Sequence, residues 1–201
     1  MVVILLTIGE IEFEHLVNRP RIDLALSGAV QGNMTQLQDW QGNGTVCLTS
    51  KVQGSDQWDG QFVGTVGGKH LEVDIALFPF EGAGNYLNGG IPDAAKLRTM
   101  PLNQVFGPSQ IHIQLSRLRS GTDATHAWGT EPDPASRARS IDQLGKLAGL
   151  GKASVSLNAD RRTGRVEAVL MDARQPEGPS VHLVGTFQCA PLAKPVETSP
   201  G

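Results

Sequence analysis

The sequence predicts an all-β fold, an antiparallel two-sheet β-sandwich of about eight or nine strands with one long irregular loop. First, apolar and polar residues alternate in several short runs, which is the period of half-buried strands. Second, 24 Gly and 12 Pro against 18% charged residues favour a turn-rich β protein. Third, glycines at positions 67 and 68 separate two alternating runs, as in a tight hairpin turn that needs positive φ. A closed barrel is the alternative, because it uses the same inward-facing positions.

The predicted strands follow the alternation along the chain. They are residues 21–29, 44–52, 61–66, 69–78, 110–118, 152–158, 165–171 and 180–189. Residues 54–60 are predicted to be a loop in which Trp58 covers an edge of the core. Residues 79–86, which are rich in glycine, are predicted to cross between the sheets, with Tyr86 anchoring the corner.

One long segment, residues 119–151, loses the period of two. Apolar residues spaced about one helical turn apart predict a short helix within residues 135–150, although three glycines weaken it. The expected organisation is therefore an apolar arm or extra strand at 1–20, a β-sandwich domain at 21–190 and a disordered tail at 191–201.

The charge balance argues against a nucleic-acid partner. The net charge is −3 and the pI is near 5.9, whereas nucleic-acid binding needs a clustered basic face. Short groups of arginines fall at predicted turns and loops, where solvated charges are the simpler interpretation.

The two cysteines, Cys47 and Cys189, are too far apart in sequence for a C-x-x-C motif, and no other thiol is present to complete a zinc site. Two interpretations remain, a disulfide between an early strand and the last one or two buried free thiols. The disulfide is favoured because both residues lie in predicted strands that can face each other across a core. A disulfide would imply an oxidising compartment.

The chain begins with an apolar run, Met1-Val-Val-Ile-Leu-Leu-Thr-Ile8. The run is too short to span a bilayer, and neither a basic segment before it nor a small-residue cleavage site after it is present. Three interpretations stay open: the remnant of a leader, a β-strand, or an arm that pairs with another subunit. We predict no transmembrane segment.

Several motifs occur in a recognisable order. They are Leu26-Ser-Gly-Ala-Val30, the Val46-Cys47 strand, Val66-Gly-Gly-Lys69, Phe80-Glu-Gly-Ala-Gly-Asn-Tyr86, Ala153-Ser-Val-Ser-Leu-Asn-Ala-Asp160, Thr163-Gly-Arg-Val-Glu-Ala168 and Val181-His-Leu-Val-Gly-Thr-Phe-Gln-Cys189. The series, which covers residues 24–189 apart from 119–151, resembles the secreted β-sandwich domains of small bacterial lipoproteins, including the mycobacterial lipoprotein antigens. The resemblance implies a disulfide between an early strand and the last one, an envelope location and no established enzymatic activity. It does not extend to lipid anchoring, because no lipobox cysteine stands near Met1.

Histidines and turn carboxylates are the candidate metal ligands. His70, His112 and His182 lie in predicted strands, and the alternation turns His70 and His112 outward, so ordinary surface histidines are favoured over a zinc site. Asp56 and Asp59, which precede Gly60, and likewise Asn158 and Asp160 carry oxygen ligands that suit calcium. Asp and Asn are also typical of turns, and the turn is favoured in both places. We expect neither a metal nor a cofactor.

The sequence contains no recognised catalytic motif: no nucleophile elbow, no phosphate loop and no H-E-x-x-H. Ser116, Ser120, Asp123 and His126 are close in sequence, but proximity in sequence does not make a catalytic triad. We therefore predict no catalytic residue and no enzyme.

Large aromatic residues outside the clear strand patterns are the candidate binding surface. They are Trp128, Trp40 and Tyr86, and loops on rigid β-scaffolds commonly carry binding residues. A competing interpretation has Trp128 plug the end of the core beneath residues 119–151.

The preferred function is a non-enzymatic exported or cell-envelope module with a binding or structural role, located outside the cell or in its envelope. One alternative is a subunit of an extracellular filament or oligomer that assembles through its N-terminal strand. Another is a barrel-like carrier of a small apolar ligand. The expected partners are accordingly further copies of the chain or an envelope component.

Overall fold

The computed structural model describes residues 20–35, 46–52, 54–101, 110–118, 124–132 and 140–189 of the 201-residue chain. These residues form eleven β-strands and two short helices. The strands are β1 (Arg21–Gly28), β2 (Gly32–Met34), β3 (Val46–Val52), β4 (Ser55–Val66), β5 (Lys69–Leu77), β6 (Gly84–Gly89), β7 (Ile111–Leu118), β8 (Ala124–Gly129), β9 (Lys152–Leu157), β10 (Thr163–Asp172) and β11 (Val181–Gln188). The helices are α1 (Ala94–Leu97) and α2 (Ile141–Gly145). The all-β prediction is confirmed.

The strands form one curled antiparallel sheet, a half-barrel, rather than two separate sheets. Nine strands follow the curl in the order β2-β1-β11-β10-β8-β7-β5-β4-β3. Strand β10 joins the halves, because its edge opposite β11 pairs first with β9 and then, through Met171 and Asp172, with β8. Strand β6 extends the sheet beyond β9. The predicted two-sheet sandwich is therefore not confirmed.

The concave face of the sheet carries the main core. Along β1 the buried residues alternate with exposed ones, as predicted, and β5 buries every second residue in the same way. Trp58 and Phe62 of β4 meet Phe187 of β11, with ring centroids 5.7 Å and 5.5 Å apart. Because β4 and β11 belong to opposite halves of the curl, these three rings fill the space between the halves.

The clearest predicted hairpin is confirmed. Strands β4 and β5 pair from Val66 and Lys69 onward, and the two turn residues Gly67 and Gly68 have φ of +55° and +75°. Such angles are unfavourable for residues with a Cβ, so this turn depends on its two glycines.

Two segments predicted to lie outside strands, residues 54–60 and 79–86, are strand in part. Residues 55–60 begin β4, and Trp58 is 2% exposed in the core instead of covering its edge. Trp58 can lie in the core partly because residue 60 is glycine: a Cβ at that position would stand 2.7 Å from the Trp58 ring. Residues 84–89 form β6, although Tyr86 does anchor this region: its hydroxyl donates to the Gly82 carbonyl at 2.6 Å.

The predicted irregular region contains both a strand and the expected helix. Strand β8 pairs with β7 and extends the sheet, which the sequence pattern did not indicate. Helix α2 lies within the predicted 135–150 and is shorter than that range; it begins with a capping box between Ser140 and Gln143. Its Leu144 packs with Leu97 of α1 in a second, smaller apolar cluster.

Some predictions concern residues outside the described ranges. These are the apolar arm up to residue 19, Trp40, the serine and aspartate at positions 120 and 123, and the tail from residue 191 onward. Within the described part of the chain, no helix has the length and apolarity needed to cross a membrane.

Candidate functional site

Cys47 and Cys189 form a disulfide, as the favoured interpretation predicted. The bond joins β3, at one end of the strand order, to the residue that follows β11 in the other half, with a Cα–Cα distance of 5.7 Å. Arg162 fixes the Cys189 side: its Nη2 donates to the Cys189 carbonyl at 3.0 Å, and the Cys189 N–H donates to the Arg162 carbonyl at 2.8 Å. The covalent link thus closes the curled sheet across its two halves.

A polar cleft of about 430 Å³ lies at the same end of the sheet. It is lined by Arg21, Asp23, Asn158, Thr163, Gly164, Thr186, Phe187 and Gln188. Phe187 is 3% exposed, so the lining side chains available to a ligand are the polar ones. Its volume lies in the range of small-molecule sites.

The pairing of three strands places these side chains in two rows. Arg21 of β1 is opposite Gln188 of β11, which is opposite Thr163 of β10. One step along, Asp23 is opposite Thr186. Neighbouring strands lie about 4.8 Å apart and every second residue along a strand about 6.7 Å apart, so the rows form a grid of hydrogen-bonding groups.

The turn that leads into β10 is held rigid by Asp160. Its Oδ1 accepts hydrogen bonds from the backbone N–H groups of Arg162 and Thr163, and its Oδ2 accepts one from the Thr163 hydroxyl. Burial by itself would raise the pKa of Asp160, but these hydrogen bonds outweigh it and hold the pKa below its usual value. The carboxylate serves the turn, in agreement with the turn interpretation, and Asn158 Nδ2 also donates to Thr163 Oγ1. The turn expected at Asp56 and Asp59 is not formed, because both residues lie within β4 and pair with β3.

The other end of β10 carries a histidine–aspartate pair that the sequence did not reveal. His126 Nε2 of β8 lies 2.7 Å from Asp172 Oδ2 of β10, whose side chain is only 10% exposed. Asp172 Oδ1 accepts from the backbone N–H groups of Arg174 and Gln175, both at 2.9 Å. The His126 ring packs on Trp128 at 4.3 Å between centroids.

Among the described residues, Ser116 does not complete a catalytic triad with His126 and Asp172. Ser116 is opposite Ala127, one position from His126, so Ser116 and His126 point to opposite faces of the sheet. Ser116 is instead 2% exposed and accepts a hydrogen bond from Gln114 at 2.8 Å. The pair therefore ties β8 to β10 at the two-residue ladder that joins the halves.

A second group of carboxylates lies on the convex face of β4 and β5. Burial, followed by repulsion from Glu72, a hydrogen bond with Glu72 and repulsion from Asp59, raises the pKa of Asp74 from 3.8 to about 7. A hydrogen bond from Gln61 opposes this effect. Asp59 is itself held by Gln57, whose Nε2 donates to Asp59 Oδ1 at 2.6 Å.

The remaining candidate residues are two aromatic side chains and three histidines, and they do not form a common site. Tyr86 of β6 and Trp128 of β8 are each 4% exposed and belong to the main core. His70, His112 and His182 lie on three different strands. Among the residues described, no three His, Cys, Asp or Glu side chains form a group able to hold a metal ion.

Comparisons with protein-family models, with curated proteins and with solved structures found no match for this chain.

Proposed function

We propose that this protein is an exported all-β domain, closed by a disulfide bond, that acts by binding and not by catalysis. The disulfide between Cys47 and Cys189 carries the proposal, because such bonds persist in oxidising compartments and are rare in the cytosol. It closes a loop with a sequence separation of 142 residues. In the chain-entropy model that closure contributes up to about 5 kcal/mol, a large part of the stability of an ordinary domain.

The polar cleft beside the disulfide is the binding surface of this proposal. All of its lining residues except Asn158 come from β1, β10 and β11, which pair over long registers and therefore hold the cleft on a rigid platform. The Asp160 turn fixes its Asn158 and Thr163 side. Preorganised groups of this kind lower the entropic cost of binding a ligand.

The inner face of the half-barrel does not favour an apolar carrier. Trp58, Phe62 and Phe187 occupy its centre, all at 3% exposure or less. A ligand would have to displace these packed rings, which costs several kcal/mol for each large side chain removed from its place.

Self-assembly by strand addition is the second candidate. Strand β3 ends the strand order and carries Leu48 and Val52, which are 41% and 37% exposed, and Leu87 of β6 is 71% exposed. Exposed apolar edge strands favour pairing with another chain. Sedimentation velocity tests this candidate: Leu87→Lys and Leu48→Lys together should convert an oligomer to a monomer, and a wild-type protein that is already monomeric at high concentration contradicts it.

Thiol trapping in the producing cells tests the export proposal. The cells are quenched in acid, and the denatured protein is alkylated with a maleimide before and after reduction and weighed by intact mass spectrometry. We expect no adduct before reduction and two after it. The single variant Cys47→Ser is the matched control, because its remaining cysteine should take up one adduct without reduction. Two adducts on the unreduced wild-type protein would overturn the proposal.

A further inference from the structure

We infer that the polar cleft binds a neutral, polyhydroxylated ligand of the saccharide class. This inference rests on the proposed function, since it names the ligand of the same cleft. The groups that face a ligand are Arg21, Asp23, Asn158, Thr163, Thr186 and Gln188. They combine guanidinium donors, carboxylate acceptors, carboxamides and hydroxyls.

The charge of the lining argues for a neutral ligand. One guanidinium, from Arg21, and one carboxylate, from Asp23, stand on the same strand with one residue between them. An anion gains from the first and is repelled by the second, and a cation experiences the reverse. A ligand with hydroxyl groups accepts from the guanidinium and donates to the carboxylate, so it uses both.

The lining side chains carry the hydrogen-bonding groups that a polyhydroxylated ligand requires. Six of the eight lining residues have polar side chains; of the other two, Gly164 has no side chain and Phe187 is buried.

The arrangement of the polar groups suits a ring that carries several hydroxyls. The row Arg21–Gln188–Thr163 crosses three strands, and Asp23 and Thr186 form the adjacent row. The planar guanidinium of Arg21 offers several donors and the carboxylate of Asp23 several acceptor sites to neighbouring hydroxyl groups. Asn158 and Thr163 are held in place by their mutual hydrogen bond of 2.8 Å, so this side of the grid does not reorganise on binding.

Titration of the ¹⁵N-labelled full chain, followed by amide chemical shifts, tests the inference. The probes are the neutral trisaccharides cellotriose and maltotriose, the acidic trimer of galacturonic acid, and octanoate. We expect at least one neutral trisaccharide to shift the amides of Thr163, Gly164 and Thr186, with a dissociation constant in the millimolar range because the cleft is open to water. The acid trimer and octanoate should leave these amides unchanged.

A pair of variants on β1 locates the binding site. Asp23→Ala removes a charged hydrogen-bond acceptor and should weaken trisaccharide binding about tenfold. Ser27→Ala, on the same face of the same strand but outside the lining, should bind as the wild type does. Equal affinities for Asp23→Ala and wild type would overturn the inference.

The outcomes separate this inference from the proposed function. Shifts of the cleft amides with only the acid trimer or only octanoate overturn the saccharide class, while the cleft remains the binding surface. If none of the four probes shifts the cleft amides, the inference is also overturned. The export proposal is decided independently by thiol trapping.

Discussion

Replacing Asp74 by Asn should stabilise the protein at pH 8 and remove the loss of stability that ionisation of Asp74 causes between about pH 4 and pH 7. Asp74 lies on the convex face of β5, and its pKa is about 7 because of burial, Glu72 and Asp59. Asn has the shape of the protonated acid and carries no charge at any pH, so it avoids the unfavourable ionised state.

The sign and size of the effect follow from linkage. A raised carboxyl pKa means that the folded protein holds a proton that the unfolded chain releases. The stabilising contribution of Asp74 is therefore complete below pH 3.8 and is lost as the pH rises through about 7. The difference between 3.8 and about 7 corresponds to roughly 4 kcal/mol at about 1.4 kcal/mol per pH unit. We therefore expect the free energy of unfolding contributed by this residue to fall by up to about 4 kcal/mol between pH 4 and pH 8.

Urea unfolding monitored by tryptophan fluorescence at pH 5 and pH 8 measures the effect. Glu72→Gln is the matched variant: it keeps Asp74 but removes its charged neighbour, so it should reduce the pH dependence without abolishing it. The reasoning is refuted if Asp74→Asn loses as much stability between pH 5 and pH 8 as the wild type does.

Three further substitutions test the packing and the covalent closure of the sheet. Replacing Cys47 and Cys189 together by Ser should lower the free energy of unfolding by about 3–5 kcal/mol, measured by urea unfolding. Gly164→Ala should cost about 2–3 kcal/mol, because its Cβ would collide with the backbone of the neighbouring strand and with an aromatic ring, whereas Gly89→Ala meets no atom within 4 Å and should be nearly neutral. Asp172→Ala should cost about 2–4 kcal/mol, since it leaves two backbone N–H groups and an imidazole without their acceptor.

Each of these expectations has a result that contradicts it. A double serine variant with the wild-type urea midpoint would mean that the disulfide does not restrain the unfolded chain. Equal losses for Gly164→Ala and Gly89→Ala would contradict the close packing at β10. An Asp172 variant as stable as the wild type would show that the link between β8 and β10 contributes nothing to stability.

Several features were predictable because their causes are local in sequence. Inward and outward residues of β1 and β5 follow from alternation, since successive side chains of a strand point to opposite faces. The hairpin at Gly67 and Gly68 follows from the φ angles that only glycine adopts easily. The disulfide was favoured because both cysteines lie in predicted strands, and these strand predictions also depend on local pattern.

The candidate site depended on pairings between distant residues. Arg21, Gln188 and Thr163 come together only because β1, β11 and β10 are neighbours in the sheet. His126 meets Asp172 across β8 and β10, and β8 itself has no clear alternation to mark it. No local pattern indicates which strands pair, so neither the cleft nor this pair was predicted.

What the sequence determined by itself is the all-β class, the orientation of side chains along its clearest strands and the favoured pairing of its two cysteines. Tertiary structure alone decided that β10 pairs with both halves, which makes one half-barrel of what the pattern predicted as a sandwich. It also decided that Asp74 stands beside Asp59 as well as Glu72. The physical reason is that strand periodicity fixes the face on which a side chain lies, whereas its neighbours across the sheet are set by which strands lie side by side and in what register.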